Sequence, residues 1–263
     1  MGGVQPPATF GEDMTDIYNI GDKNIEITSM FEDVHRLCHT YHRDGKPDFS
    51  IITTDLDISF ERKKFALEDK VQGRPARHYP DAFLEMMAVY RQIAERMPTY
   101  NTFLFHGSAI AVDGEVYLFT AKSGTGKSTH TRLWREKFGE RAIMVNDDKP
   151  LLKLTENGIL VFGTPWNGKH HLSENIAVPL KALCILERGT DNQIRPITAT
   201  EARPMLLQQC YRPVDMEALK KTLILLDTLV KTIRLYSLKC NMDMSAVEVA
   251  YCGMKGTKDE TET

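Results

Sequence analysis

The stretch Val116-Tyr-Leu-Phe-Thr-Ala-Lys-Ser-Gly-Thr-Gly-Lys-Ser-Thr129 decides how the rest of the chain is read. An apolar run of strand character feeds a loop holding Gly124 and Gly126, and a helical pattern follows from about Gly126 to Lys137. Glycine lets the backbone turn sharply and bring several N–H groups around a phosphate. A helix starting directly behind the loop adds the positive end of its dipole. Ser123, Gly124, Thr125, Gly126, Lys127, Ser128 and Thr129 are therefore the candidate nucleotide-binding residues. Lys127 has the reach for the β and γ phosphates, and the Ser128 hydroxyl is a candidate Mg²⁺ ligand, so ATP with Mg²⁺ is the expected pair. Ala121 stands where the full pattern of such loops has a glycine.

Downstream, Ala142-Ile-Met-Val-Asn-Asp-Asp148 reads as an apolar strand ending in two adjacent carboxylates. Carboxylates at the end of a buried strand beside such a loop can hold Mg²⁺, directly or through water. A second carboxylate can take the proton of an attacking hydroxyl. Asp147 is assigned the proton and Asp148 the metal, together with Ser128, though the division can be reversed. Gly163-Thr-Pro-Trp-Asn-Gly-Lys-His-His171 follows another strand, and its Lys169 offers fixed positive charge to a phosphate.

Outward from this centre the pattern is α/β. Phe103 to Val112 and Val116 to Thr120 read as strands, with Asp113-Gly114 as a two-residue hairpin turn between them. A hairpin directly before the loop argues for a mixed or antiparallel-rich sheet rather than a purely parallel one. Leu151 to Leu154, Ile159 to Phe162, Leu183 to Leu186 and Ile233 to Tyr236 are further strands. Helices are expected from Thr198 (a capping box with Glu201) to about Cys210, from Asp215 to Val230, and from about Met244 to Tyr251. Upstream, residues 16–98 read as a small α/β module and residues 99–253 as the core, with structureless ends at 1–15 and 254–263. In the module, a helix is expected near Phe31 to His42, a strand over Phe49 to Phe60, and a helix over Asp81 to Arg96. Glu61 to Pro80, with nine charged side chains and no clear period, reads as a linker. The strand at Phe49 to Phe60 could pair with an extended peptide at a sheet edge, which would make the module a selector of the acceptor.

Composition narrows the function. Lys plus Arg is 33 against 36 for Asp plus Glu, a net charge of −3, which argues against a nucleic-acid or membrane-surface binder. No apolar run approaches the roughly 20 residues that span a bilayer, and the N-terminus lacks the basic and apolar regions of a secretory signal. Five scattered cysteines without a CxxC pair fit free thiols, so the cytoplasm is the expected compartment. His35, Cys38, His39 and His42 share one helical stripe, but four ligands on one straight helix cannot surround a tetrahedral ion. His78 and His130 read as surface or helix-start residues.

His106-Gly107, Ser123 to Ser128 and Asp147-Asp148 resemble, in order and spacing, the HPr kinase/phosphorylase family, and more distantly ATP-dependent phosphoenolpyruvate carboxykinase. The resemblance covers about residues 103 to 190. It implies a P-loop kinase core of that type, with catalysis and metal binding by the carboxylate pair and His106 near the transferred phosphate. The family's glycine-rich segment after the core has no counterpart here; Gly163 to His171 stands in its place. The expected activity is ATP- and Mg²⁺-dependent transfer of the γ-phosphoryl group to a hydroxyl, foremost a serine of a peptide or protein, with a small-molecule acceptor as the alternative. Lys127, Asp147 and His106 are the candidate catalytic residues. A nucleotide-binding regulator without catalysis, motivated by Ala121, is the competing reading. A homo-oligomer is left open.

Overall fold

Val116 and Leu118 point to one side of their strand and Tyr117 and Phe119 to the other, and all four are buried. A strand covered on both faces reads as an unbroken apolar run, and that is how this one reads. The computed structural model describes residues 13–256. The chain divides between Ile93 and Ala94 into two units.

The first unit contains β1 (Met14–Ile20), β2 (Lys23–Ser29), α1 (Glu32–Cys38), β3 (Phe49–Ile52), α2 (Asp55–Val71) and most of α3 (Asp81–Arg96). The sheet order is β1-β2-β3, antiparallel then parallel. Gly21 and Asp22, both at positive φ, make the tight turn of the first hairpin. Three readings are corrected here. The strand expected over Phe49 to Phe60 ends at Ile52, because Thr54 and Asp57 cap one another reciprocally and start α2. The linker expected from Glu61 is helix as far as Val71; its buried carboxylates pair with Arg91 (Glu61, 2.6 Å) and Arg77 (Asp69, 2.6 Å). Met14 and Thr15, assigned to a structureless end, pair in β1 with Ser29 and Thr28. Residues 1–12 and 257–263 lie outside the described residues.

The second unit runs on through β4 (Thr102–Leu104), β5 (Ser108–Val112), β6 (Glu115–Thr120), α4 (Lys127–Phe138), β7 (Ala142–Asn146), β8 (Leu151–Thr155), β9 (Gly158–Phe162), β10 (Ala177–Arg188), β11 (Gln193–Pro196), α5 (Ala199–Gln209), α6 (Met216–Thr232), β12 (Arg234–Cys240) and α7 (Ser245–Lys255). The sheet is mixed. β10 runs parallel to β6 and β12, while β5, β7, β9 and β11 add antiparallel pairs. Asp113 and Gly114, both at positive φ, close the β5–β6 hairpin as expected. The run Phe103 to Val112 is two strands rather than one, broken at His106-Gly107. A Cβ on Gly107 would lie 2.9 Å from the Phe119 carbonyl, so the chain passes β6 too closely for any side chain. α7 carries on through Met254 and Lys255, past the expected start of the tail.

Two apolar layers cover this sheet. Val116, Leu118 and Leu183 pack with Leu206 of α5 and Leu226 and Leu229 of α6. Tyr117, Phe119 and Ala121 pack with Leu133 and Trp134 of α4 and with Val247 and Ala250 of α7. No helix among the described residues is long and apolar enough to cross a membrane.

Gly163, just after β9, passes between two other segments; a Cβ there would lie 1.9 Å from the Glu174 carbonyl oxygen and 2.6 Å from that of Val145. Both obstacles are backbone and cannot swing aside. Gly163→Ala is expected to lower unfolding free energy by about 3 kcal/mol, the upper end of ordinary overpacking costs, read as the midpoint shift in urea.

Candidate functional site

The loop between β6 and α4 is shaped by its glycines. Gly124 and Gly126 take φ of 77° and 121°, conformations that L side chains rarely adopt. Thr125 bonds back to the Lys122 carbonyl through its N–H (3.2 Å) and its hydroxyl (2.8 Å), which closes the loop. The Arg188 guanidinium, at the end of β10, donates to the Gly124 carbonyl. Gly126 is the N-cap of α4, and no side chain caps that helix, leaving its first N–H groups to an outside acceptor. Ala121 is buried beneath the loop among Leu133 and Trp134. Its methyl group is core, which accounts for the absent glycine.

His130 stands at a helix start, one of its two expected settings, but not at the surface. It is 3% exposed in the first turn of α4, edge-on to Phe119, with its Nε2 accepting from the Trp134 indole N–H at 3.0 Å. That bond fixes the neutral tautomer with the proton on Nδ1. Burial pushes the imidazole down to about 4.

The carboxylate pair is built by Asn146, the last residue of β7. Its side chain is fully buried. Its Oδ1 accepts from the N–H groups of Asp148 (2.9 Å) and Lys149 (2.6 Å). Its Nδ2 donates to the carbonyl and hydroxyl of Thr164, both at 3.1 Å. Thr164 in turn donates to the Lys149 carbonyl at 2.8 Å. The end of β7 is thereby tied to the loop that starts at Gly163.

The two aspartates leave this turn into different surroundings. Asp147 is 5% exposed and accepts the Gly168 N–H; burial raises its carboxyl above the usual range, against the pull of that bond. Burial acts on Asp148 in the same sense but is outweighed. The His106 Nε2 lies 3.1 Å from its Oδ1, Lys149 lies 3.7 Å from its Oδ2, and with Lys127 these hold it below the usual range. Lys127 is itself pushed down by burial and held up by the charge of Asp148.

Two cavities flank the glycine loop. One, of about 490 Å³, brings together Ser128, Thr129, Asp147, Lys169 and His170, with Arg132 and Arg135 of α4 along its wall. The other, of about 500 Å³, is lined by Gly124, Thr125, Gly126 and Thr129 on the loop side and by Leu186, Arg188 and Met242 opposite. Of the sequence candidates, Ser123 lines neither and stays exposed in the loop, while Asp148 has His106 at 3.1 Å and feels the charge of Lys127. Arg132, Arg135, Arg188 and Asn146 were not singled out; the arginines carry no motif, stay exposed, and border the cavities only through their helix or strand positions.

In the first unit, His35 bonds Tyr18 (2.8 Å), His39 bonds the Arg36 carbonyl (2.9 Å) and His42 lies 3.1 Å from Asp16. No group of histidine, cysteine and carboxylate side chains able to hold a metal ion occurs among the described residues. All five cysteines are free.

Because His130 stays neutral when folded down to about pH 4 but protonates near 6.5 when unfolded, stability is full above pH 6.5 and falls as pH drops towards 4. The loss should total roughly 3 kcal/mol. In His130→Gln, which keeps an acceptor for the Trp134 indole, this part of the pH dependence should disappear, as urea unfolding of both proteins from pH 7 to 4 would reveal.

Among solved structures, the Hpr(Ser) kinase/phosphatase from Coxiella burnetii is similar at 11% identity and a TM-score of 0.32, over 58% of this chain and 99% of that one. A likeness that slight carries neither fold nor activity. No curated protein matches the chain. The family model described as SynChlorMet cassette protein ScmC matches residues 77–246. Matched over well more than half its length, the chain belongs to the ScmC family of SynChlorMet cassette proteins.

Proposed function

We propose that this protein transfers the γ-phosphoryl group of ATP to a hydroxyl of a peptide, a protein or a small molecule. The observation that carries the reading is the meeting of Lys127, at the uncapped start of α4, with Asp148, whose neighbour Asp147 is shifted the opposite way. The resemblance to HPr kinase/phosphorylases in the order His106-Gly107, Ser123 to Ser128 and Asp147-Asp148 supports it.

The residues fit each task. The open N–H groups of the loop and α4 suit the phosphates, and Lys127 adds a fixed cation beside them. The cavity with Leu186 and Met242 suits the nucleoside, leaving Asp147's cavity to the acceptor. Ser128 and Asp148 supply oxygen donors, the kind a hard cation takes, with phosphates and water completing its shell. Mg²⁺ held there would supply charge neutralisation on the phosphates. Asp148, kept ionised by His106, Lys149 and Lys127, is suited to that role. Asp147, raised by burial, is suited to take the acceptor proton. His106 holds Asp148 rather than substrate and is a positioning residue. Lys169 stands in the same cavity as Ser128 and adds charge at the phosphate end. Ala121, being core, gives no ground for a loop that binds nucleotide without turnover.

Lys127→Ala should abolish phosphoryl transfer measured with γ-labelled ATP while the fold is retained by circular dichroism; a variant with full ATP consumption would refute the assignment. Asp147→Asn should abolish transfer yet raise the unfolding midpoint at pH 7. Its folded carboxyl sits above the unfolded value of 3.8, so ionisation opposes folding as pH rises past that value, and the neutral amide escapes the cost. The gain should vanish below about pH 3.8. A midpoint that falls at pH 7 would contradict it.

A further inference from the structure

We infer that the acceptor carries an anionic group, a carboxylate or a phosphate, beside the hydroxyl that is phosphorylated, and that Arg132, Arg135 and His170 hold that group. The inference rests on the phosphotransfer reading and names the substrate class for the same site.

The acceptor oxygen must reach Asp147, because that carboxylate takes its proton. In the transfer the acceptor O–H attacks the γ phosphorus, the bond from phosphorus to the β,γ-bridging oxygen breaks, ADP leaves with that electron pair, and the proton passes to Asp147. The acceptor therefore occupies the cavity that Asp147 lines. Arg132, Arg135, Lys169 and His170 stand on its walls, and Asp147 is the one carboxylate there among the described residues. The excess of three fixed cations, Arg132, Arg135 and Lys169, over that carboxylate is local, since the chain as a whole carries a net charge of −3.

The nucleotide does not account for all of it. Phosphates bound by the loop sit off the N-terminus of α4, at Lys127 and Ser128. Arg132 and Arg135 lie five and eight residues further along the helix, about 7.5 and 12 Å down its axis at 1.5 Å per residue. Arg132 already has an i,i+4 partner in Glu136, whereas no carboxylate pairs with Arg135 among the described residues. An arginine fork on a cavity wall, without a protein partner and beyond the reach of the phosphates, matches a carboxylate or phosphate of the other substrate.

The test uses the full-length chain with ATP and Mg²⁺ and two sets of acceptors. One is a peptide library with a single fixed serine and randomised flanks; the other is a panel of small hydroxy acids and sugar phosphates beside their uncharged analogues. Transfer should favour Asp or Glu flanks in the first set, or the anionic members of the second, and the set that is used tells peptide from small molecule. Arg135→Glu should raise the KM of the favoured acceptor about tenfold or more, and Arg135→Lys should restore part of it. ATP affinity, read by a fluorescent ATP analogue, should change less than about twofold in both variants. A preference for neutral or basic acceptors, no transfer to any anionic member of either set by a protein that binds ATP, or a parallel rise in ATP KM would overturn the inference. Failure of the wild type to bind ATP would instead remove the phosphotransfer reading beneath it.

Discussion

The buried amide of Asn146 is the contact on which the candidate site depends. It has two ends with opposite hydrogen-bonding character, and both are used. The oxygen gathers the N–H groups of Asp148 and Lys149 into a tight turn, while the nitrogen reaches across to Thr164. Inside a protein an unpaired amide costs about 1–3 kcal/mol, so each of these bonds enforces the others. Without that turn, β7 would hand its two carboxylates to solvent in strand alternation. With it, one goes into a cavity beside α4 and the other faces Lys127. The close passage of Gly163 by Val145 and Glu174 belongs to the same joint, since only a residue without a side chain lets the Thr164 segment approach.

Adjacent residues of the same chemical type thus acquire different proton affinities from placement alone. Both lose water on folding, which favours the neutral form. Asp148 recovers its charge through His106, Lys149 and Lys127, whereas Asp147 is offered chiefly the Gly168 N–H. Pairs of titratable groups driven apart in this way mark a division of labour between holding charge and moving a proton. The raised member, Asp147, costs stability at neutral pH, as groups tuned for chemistry rather than for folding do.

How much of this was legible depended on whether the deciding interaction was local. The Asp113-Gly114 hairpin, the Thr198 capping box and the helix over Asp81–Arg96 rest on neighbours in sequence, and the structure has them where the sequence puts them. Thr54 and Asp57 carried a local signal too, but it lies inside the run Phe49 to Phe60 that reads as a strand. α2 was lost for a different reason. Its inward face buries Glu61 and Asp69, charged residues that no apolar period registers, and their partners Arg91 and Arg77 are fixed only by the fold. In the candidate site, the glycine loop and the aspartates stood out because each makes a short pattern local in sequence. Asn146, Arg135 and Arg188 did not, because what their side chains face depends on segments that meet only in the fold.

That meeting is the work of β10, the one strand that joins the two halves of the large sheet. Its first residues, Ala177 to Pro179, pair with β9, and from Leu180 onward it pairs with β6, the register shifting between Leu180 and Ala182. The β8–β9 meander, which ends in the loop from Gly163 to His171, is thereby locked beside the strand that feeds the glycine loop. At its far end the same strand presents Arg188 to the Gly124 carbonyl. One strand therefore sets both the spacing between Lys169 and Ser128 in one cavity and the closure of the loop over the other. A glycine loop and a carboxylate pair are common fragments. What brings them together in this chain is a strand long enough to pair with both β9 and β6.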